Sequence, residues 1–79
     1  MSPEHLVHMA NQIGAFFATQ GDGEAVDGTL DHIRKFWDPR MRAGIVAYAA
    51  AGGQGLAPAV KQAIERLSRE DGKPAQRPK

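Results

Sequence analysis

At 100° per residue, Leu6, Met9, Ala10, Ile13, Phe16 and Phe17 fall in one arc of about 120°, with His8, Asn11, Gln12 and Ala15 opposite. Ser2 offers a capping hydroxyl and Pro3 a first helical residue, so a core-facing helix is predicted from Pro3 to near Gln20. Gly21-Asp22-Gly23 reads as the turn after it. A second helix is expected from about Glu24 to Trp37, with Val26, Thr29, Leu30, Ile33, Phe36 and Trp37 inside and Glu24, Asp27, Asp31, Arg34 and Lys35 outside. Asp38-Pro39 breaks it, because the residue before proline leaves the helical region. The same pair can cap a third helix, from Pro39 to about Ala51. That helix has a core stripe of Met41, Ile45 and Tyr48 but carries Ala43, Val46, Ala47 and Ala50 on its reverse side. A helix so apolar all round is buried on more than one side, and in a small domain the second side is expected to meet another chain. Gly52-Gly53 ends it, and a fourth helix follows from about Ala57 to Arg69 with Val60, Ala63, Ile64 and Leu67 inside. The expected fold is therefore all-α, a small bundle of about four short helices in one domain over residues 1–71. Residues 72–79, without a large apolar side chain, are expected to form a flexible tail.

Size makes such a bundle marginal. For 79 residues, surface scaling puts about 7,600 Å² out of water on folding, contributing roughly 115 kcal/mol against about 118 kcal/mol of conformational entropy. With no cysteine in the chain, disulfides cannot supply the deficit, which leaves helix packing or a partner. The hydrophobic fraction of 42% and charged fraction of 24% are those of a globular chain and exclude disordered, collagen-like and low-complexity classes. Ala43 to Val60 contains no charge, but it is rich in alanine and broken by Gly52, Gly53, Gly55 and Pro58, too weak to span a bilayer. The start of the chain has no basic residue and no continuous apolar run, so no targeting segment is read and a cytoplasmic location is expected. The net charge of +1 hides a dipole of −5 over residues 1–33 and +6 from Arg34 onward, suited to orienting the chain on a charged surface.

Catalytic signals are weak. Gly52-Gly53-Gln54 matches the tripeptide of peptide-release factors, but its glycines stand where a helix needs a cap. His5 and His8 have a metal-compatible spacing without a third ligand nearby, and Asp27 and Asp31 share an exposed face. No phosphate loop and no nucleophile with its base is present, so the chain reads as non-catalytic. The richest segment is Phe36-Trp37-Asp38-Pro39-Arg40-Met41-Arg42: two aromatics, a rigid proline corner and two arginines, the residue types of interface hot spots. Phe36 and Trp37 can equally belong to the core, with the arginines covering the surface.

Met9-Ala10-Asn11-Gln12-Ile13 followed by Phe16-Phe17, then Ile33 through Arg42, then Gly55-Leu56 and a closing helix, resembles the delta subunit of soluble NAD-dependent formate dehydrogenases, over roughly Pro3 to Leu67. The resemblance implies a small cytoplasmic bacterial accessory subunit. It implies a complex in which a catalytic alpha subunit carries a molybdenum or tungsten bis-pterin guanine dinucleotide and iron–sulfur clusters, and other subunits carry flavin mononucleotide (FMN) and the NAD site. The delta chain is then associated with the alpha subunit and with assembly or retention of its cofactor, binds no cofactor itself and brings no catalytic residue. The absence of cysteine agrees, since iron–sulfur clusters are held by thiolates. Phe36, Trp37, Pro39, Arg40, Met41 and Arg42 are the expected docking corner, with Asn11 and Gln12 as secondary positions, and neither nucleic acid nor membrane is an expected partner. The alternative is a small helical DNA-binding protein of helix-turn-helix type, since the chain is short, helical and of pI ≈ 8.2. No single helix face carries a basic stripe, which weighs against it.

Overall fold

The computed structural model describes residues 2–72 and builds them into α1 (Pro3–Ala18), α2 (Asp22–Phe36), α3 (Pro39–Ala50) and α4 (Pro58–Gly72), with no strand among the described residues. Two of the starts follow the expected caps. Ser2 Oγ accepts from the His5 N–H at 3.2 Å, and Asp38 Oδ1 accepts from the Met41 N–H at 2.8 Å, each with proline at the next position. At the end of α3 the Gly53 N–H bonds the Tyr48 carbonyl and the Gly52 N–H bonds that of Ala49, the hydrogen-bond pattern of a Schellman cap. Gly52 and Gly53 take φ of 128° and 62°, conformations that side chains resist, which is why glycines stand there.

The expected boundaries shift in three places. Helix α1 stops at Ala18 rather than near Gln20, and α2 starts at Asp22, so Asp22 and Gly23 belong to a helix and the turn is only Thr19 to Gly21. Acids at Asp22 and Glu24 favour that early start, because they face the positive end of the helix dipole. Trp37 leaves α2, extended at φ −85° and ψ 138°. Helix α4 runs on to Gly72; the rest of the expected tail, residues 73–79, lies outside the described residues.

The core joins Leu6 and Ala10 of α1, Val26, Leu30 and Ile33 of α2, Trp37, Ile45 of α3, and Val60, Ala63, Ile64 and Leu67 of α4. The inner faces predicted for α4 and most of α2 are thus the buried ones. On α1 the buried line is Leu6, Ala10 and Gly14, rotated by about 60° from the centre of the expected arc. Phe16, expected inside, is 60% exposed, and Phe36 of α2 is 72% exposed. The physical reason on α1 is Gly14: a Cβ there would overlap Val60, so α1 and α4 approach most closely where α1 has no side chain. A pattern read from large apolar residues gives no weight to that position. At the end of α2, Trp37 takes the core place that Phe36 was expected to share. Tyr48 is likewise half-buried rather than in the core, its hydroxyl donating to the Gln54 carbonyl at 2.6 Å.

Two ion pairs cross from α2 to α4, and the second of them joins the acidic part of the sequence to the basic part. Arg34 of α2 meets Glu70 of α4 through two hydrogen bonds of 3.0 and 2.7 Å, and Arg66 of α4 meets Asp27 of α2 at 3.0 Å. Both are exposed and contribute at most about 1 kcal/mol each. No described helix is long and apolar enough to cross a membrane.

Thr29 is fully buried on α2, and its hydroxyl has no partner among the described residues. A buried unpaired hydroxyl costs about 1–3 kcal/mol, so Thr29→Val is expected to raise stability by about 1 kcal/mol in urea denaturation. A loss of stability would mean that the hydroxyl is satisfied in solution.

Candidate docking surface

The proline corner divides into an inner and an outer set. Trp37 is buried at 4% exposure, and its carbonyl accepts from Arg42 Nη1 at 2.7 Å, which ties the third helix to the end of the second. Met41 is half-buried against the core and Arg42 is also half-buried. Phe36, Pro39 and Arg40 face outward. Of the six residues expected to form the corner, three therefore hold it together from within and three present a surface.

Asn11 and Gln12 also separate. Asn11 Nδ2 donates to the Gly55 carbonyl at 2.9 Å while its Oδ1 accepts from the Ala57 N–H at 3.0 Å, so both ends of the amide clamp the loop that leads into α4. Tyr48 and Lys61 hold the same loop, at the Gln54 and Gly52 carbonyls. Asn11 is a strut of the fold, and Asn11→Ala is expected to cost about 1–2 kcal/mol, read as a fall of several degrees in Tm. Gln12 is exposed and stands on the rim of a groove.

That groove lies between α1 and α2. Met9, Gln12, Ile13, Phe16, Phe17, His32 and Trp37 line about 420 Å³ of it. Phe16 and Phe17 meet edge to face with ring centres 5.1 Å apart, and His32 stacks at 4.8 Å on Phe36. The Phe17 ring lies over Gly28 of α2, where any Cβ would collide with it. Beyond Phe17 and His32 a second hollow continues the surface, bordered by Glu24, Asp27, Asp31 and Lys35. Sequence reasoning assigned Phe16 and Phe17 to the core and His32 to no site. The signal available was Gly14, which continues the Leu6 and Ala10 line and turns Phe16 outward.

Among the described residues no three of His, Cys, Asp and Glu stand close enough to hold a metal ion. With no cysteine in the sequence, the chain has no thiolate to offer an iron–sulfur cluster. The geometry favours burial of apolar side chains, since large aromatics flank a groove in a domain whose own core is small.

Fold and surface together define a small all-helical protein whose open feature is an aromatic groove beside a proline corner. The chain belongs to the family of the NADH-dependent formate dehydrogenase delta subunit FdsD, whose family model matches residues 5–64 of the 79. That span contains the whole corner and every residue lining the groove. Its family is that of a subunit of an oxidoreductase complex. No curated protein and no solved structure matches the chain.

Proposed function

We propose that the chain is a non-catalytic accessory subunit that docks on the catalytic alpha subunit of an NAD-dependent formate dehydrogenase and supports its assembly and stability in the form loaded with molybdopterin cofactor. The observation that carries this reading is Phe36, 72% exposed next to Pro39 and Arg40, in a member of a subunit family. A large aromatic kept in water by a domain with little core to spare gains by burial against a partner, and a neighbouring arginine suits a carboxylate there. In this proposal the molybdenum or tungsten bis-pterin guanine dinucleotide, the iron–sulfur clusters, FMN and the NAD site belong to other subunits, and the complex works in the cytoplasm. The delta chain then acts by linkage: binding the loaded alpha subunit more tightly than the empty one shifts their balance by the difference in affinity.

The test is an affinity pull-down of the tagged chain from its native cells, with mass spectrometry and metal analysis. The expected result is a large molybdenum- or tungsten-containing iron–sulfur subunit with formate-dependent NAD reduction. Arg40→Ala, exposed and outside the core, should lower recovery of that subunit about tenfold with an unchanged circular dichroism spectrum. Unchanged recovery and metal content would remove Arg40 from the interface, and recovery of the chain alone would overturn the reading.

A further inference from the structure

We propose that the α1–α2 groove is the anchoring site of the subunit and that it takes a basic, amphipathic segment of the catalytic subunit, which inserts a large apolar side chain beside Phe16, against Ile13 and Trp37. The inference rests on the subunit reading above and names the face and the chemistry of the partner. Among the described residues Phe16 and Phe36 are the exposed large hydrophobics; Phe16 lines the groove, Phe36 lines the adjoining hollow, and the two hollows share Phe17 and His32. The floor of the groove includes Trp37, whose burial fixes it in place, so an incoming side chain meets a preformed surface and loses little binding energy to reorganisation of the groove.

Charge selects the occupant. No Lys or Arg occurs in residues 1–33, so α1 brings no cation to the rim. On the α2 side the adjoining hollow is bordered by Glu24, Asp27 and Asp31 against Lys35 alone. Asp31 is paired with Lys35 at 3.1 Å and with Arg34 at 3.6 Å, and Asp27 with Arg66, whereas Glu24 has no ion pair among the described residues. An apolar slot next to the unpaired Glu24 carboxylate, in a stretch of 33 residues with five acids and no lysine or arginine, favours a segment with lysine or arginine next to its apolar stripe. The same composition argues against a second copy of this chain, because a two-fold dimer through this face would bring together two copies of the acid-rich stretch, neither of which offers an unpaired cation from residues 1–33.

Two variants test this in the assembled complex. Phe16→Ser removes an exposed ring and Glu24→Lys reverses an exposed charge, and circular dichroism should show both folded. Each is co-expressed with the catalytic subunit, and the delta chain retained through gel filtration is measured from ~50 mM to ~0.5 M salt. Phe16→Ser is expected to lower retention at least about tenfold at every salt concentration. Glu24→Lys should lower it chiefly at low salt, flattening the salt dependence seen with the unaltered chain. Gln62→Ala, on the exposed side of α4, should leave retention unchanged. Retention of Phe16→Ser equal to the unaltered chain would overturn the groove assignment while leaving the subunit reading standing. An unaltered chain that never accompanies the catalytic subunit would overturn both. Dimerisation that Phe16→Ser abolishes would show a second copy as occupant and overturn the assignment to the catalytic subunit.

Discussion

Trp37→Ala is expected to cost about 3–5 kcal/mol, a large part of the stability of a domain this size, and to lower Tm by about 20 °C. The ring is 4% exposed and packs with Ile33, Ile45 and the α4 residues Val60, Ile64 and Leu67 in one cluster. Its removal leaves a cavity at the point where α2 ends and α3 begins, and it also weakens the setting of the carbonyl that Arg42 holds at 2.7 Å. The check is urea or thermal denaturation of the isolated chain. This result separates two roles for adjacent residues. Trp37→Ala should lose docking because the domain loosens, whereas Phe36→Ser, at an exposed position, should keep its Tm and lose docking alone. Similar unfolding midpoints for Trp37→Ala and the unaltered chain would show that the ring is not part of the core in solution.

The second large effect is expected at Gly14. In most helices a glycine replaced by a larger helix former adds about 0.5–1 kcal/mol, because glycine has the freest unfolded chain. Here the sign inverts. A Cβ at Gly14 would overlap Val60, a side chain that is 1% exposed and, being β-branched in a helix, stiff at χ1. Gly14→Leu is expected to force α1 away from α4 and cost about 3 kcal/mol. Gly23 provides the control: it lies in α2 with nothing near its absent Cβ and no positive φ, so Gly23→Ala should be neutral or stabilising by up to about 1 kcal/mol. Equal effects at the two glycines, read by urea denaturation, would refute the close approach.

The helical class, the number of helices and two caps were legible because they depend on local chemistry. A serine or aspartate followed by proline satisfies helix N–H groups whatever the rest of the chain does, and glycines at positive φ end a helix for reasons held within a few residues. The inner faces of α2 and α4 were also legible, since Val26, Leu30 and Ile33, and Val60, Ile64 and Leu67, recur at the helical period. The face of α1 was misread because large apolar residues spread over both its buried line and its groove-facing line. Which of the two is buried depends on how closely α4 approaches. The corner was legible as a concentration of interface-type residues, but its division was not. Trp37 and Phe36 are neighbours of similar hydrophobicity, and only the exit of the chain from α2 sends one inward and the other into water.

Family membership was readable from the motif between Ile33 and Arg42, and it is the family match over residues 5–64 that establishes it. Residue types and their order thus determined the helices, their ends, the absence of thiolate chemistry and the family, because each depends on groups close together in the chain or on composition alone. The tertiary structure decided that Asn11 clamps a loop 44 residues away, that Gly14 is where two helices touch, and that Phe16 and Phe36 line adjoining hollows that share Phe17 and His32. These are relations between side chains on different helices, set by how four helices rotate against one another to exclude the most apolar surface from water, and no local pattern contains that rotation.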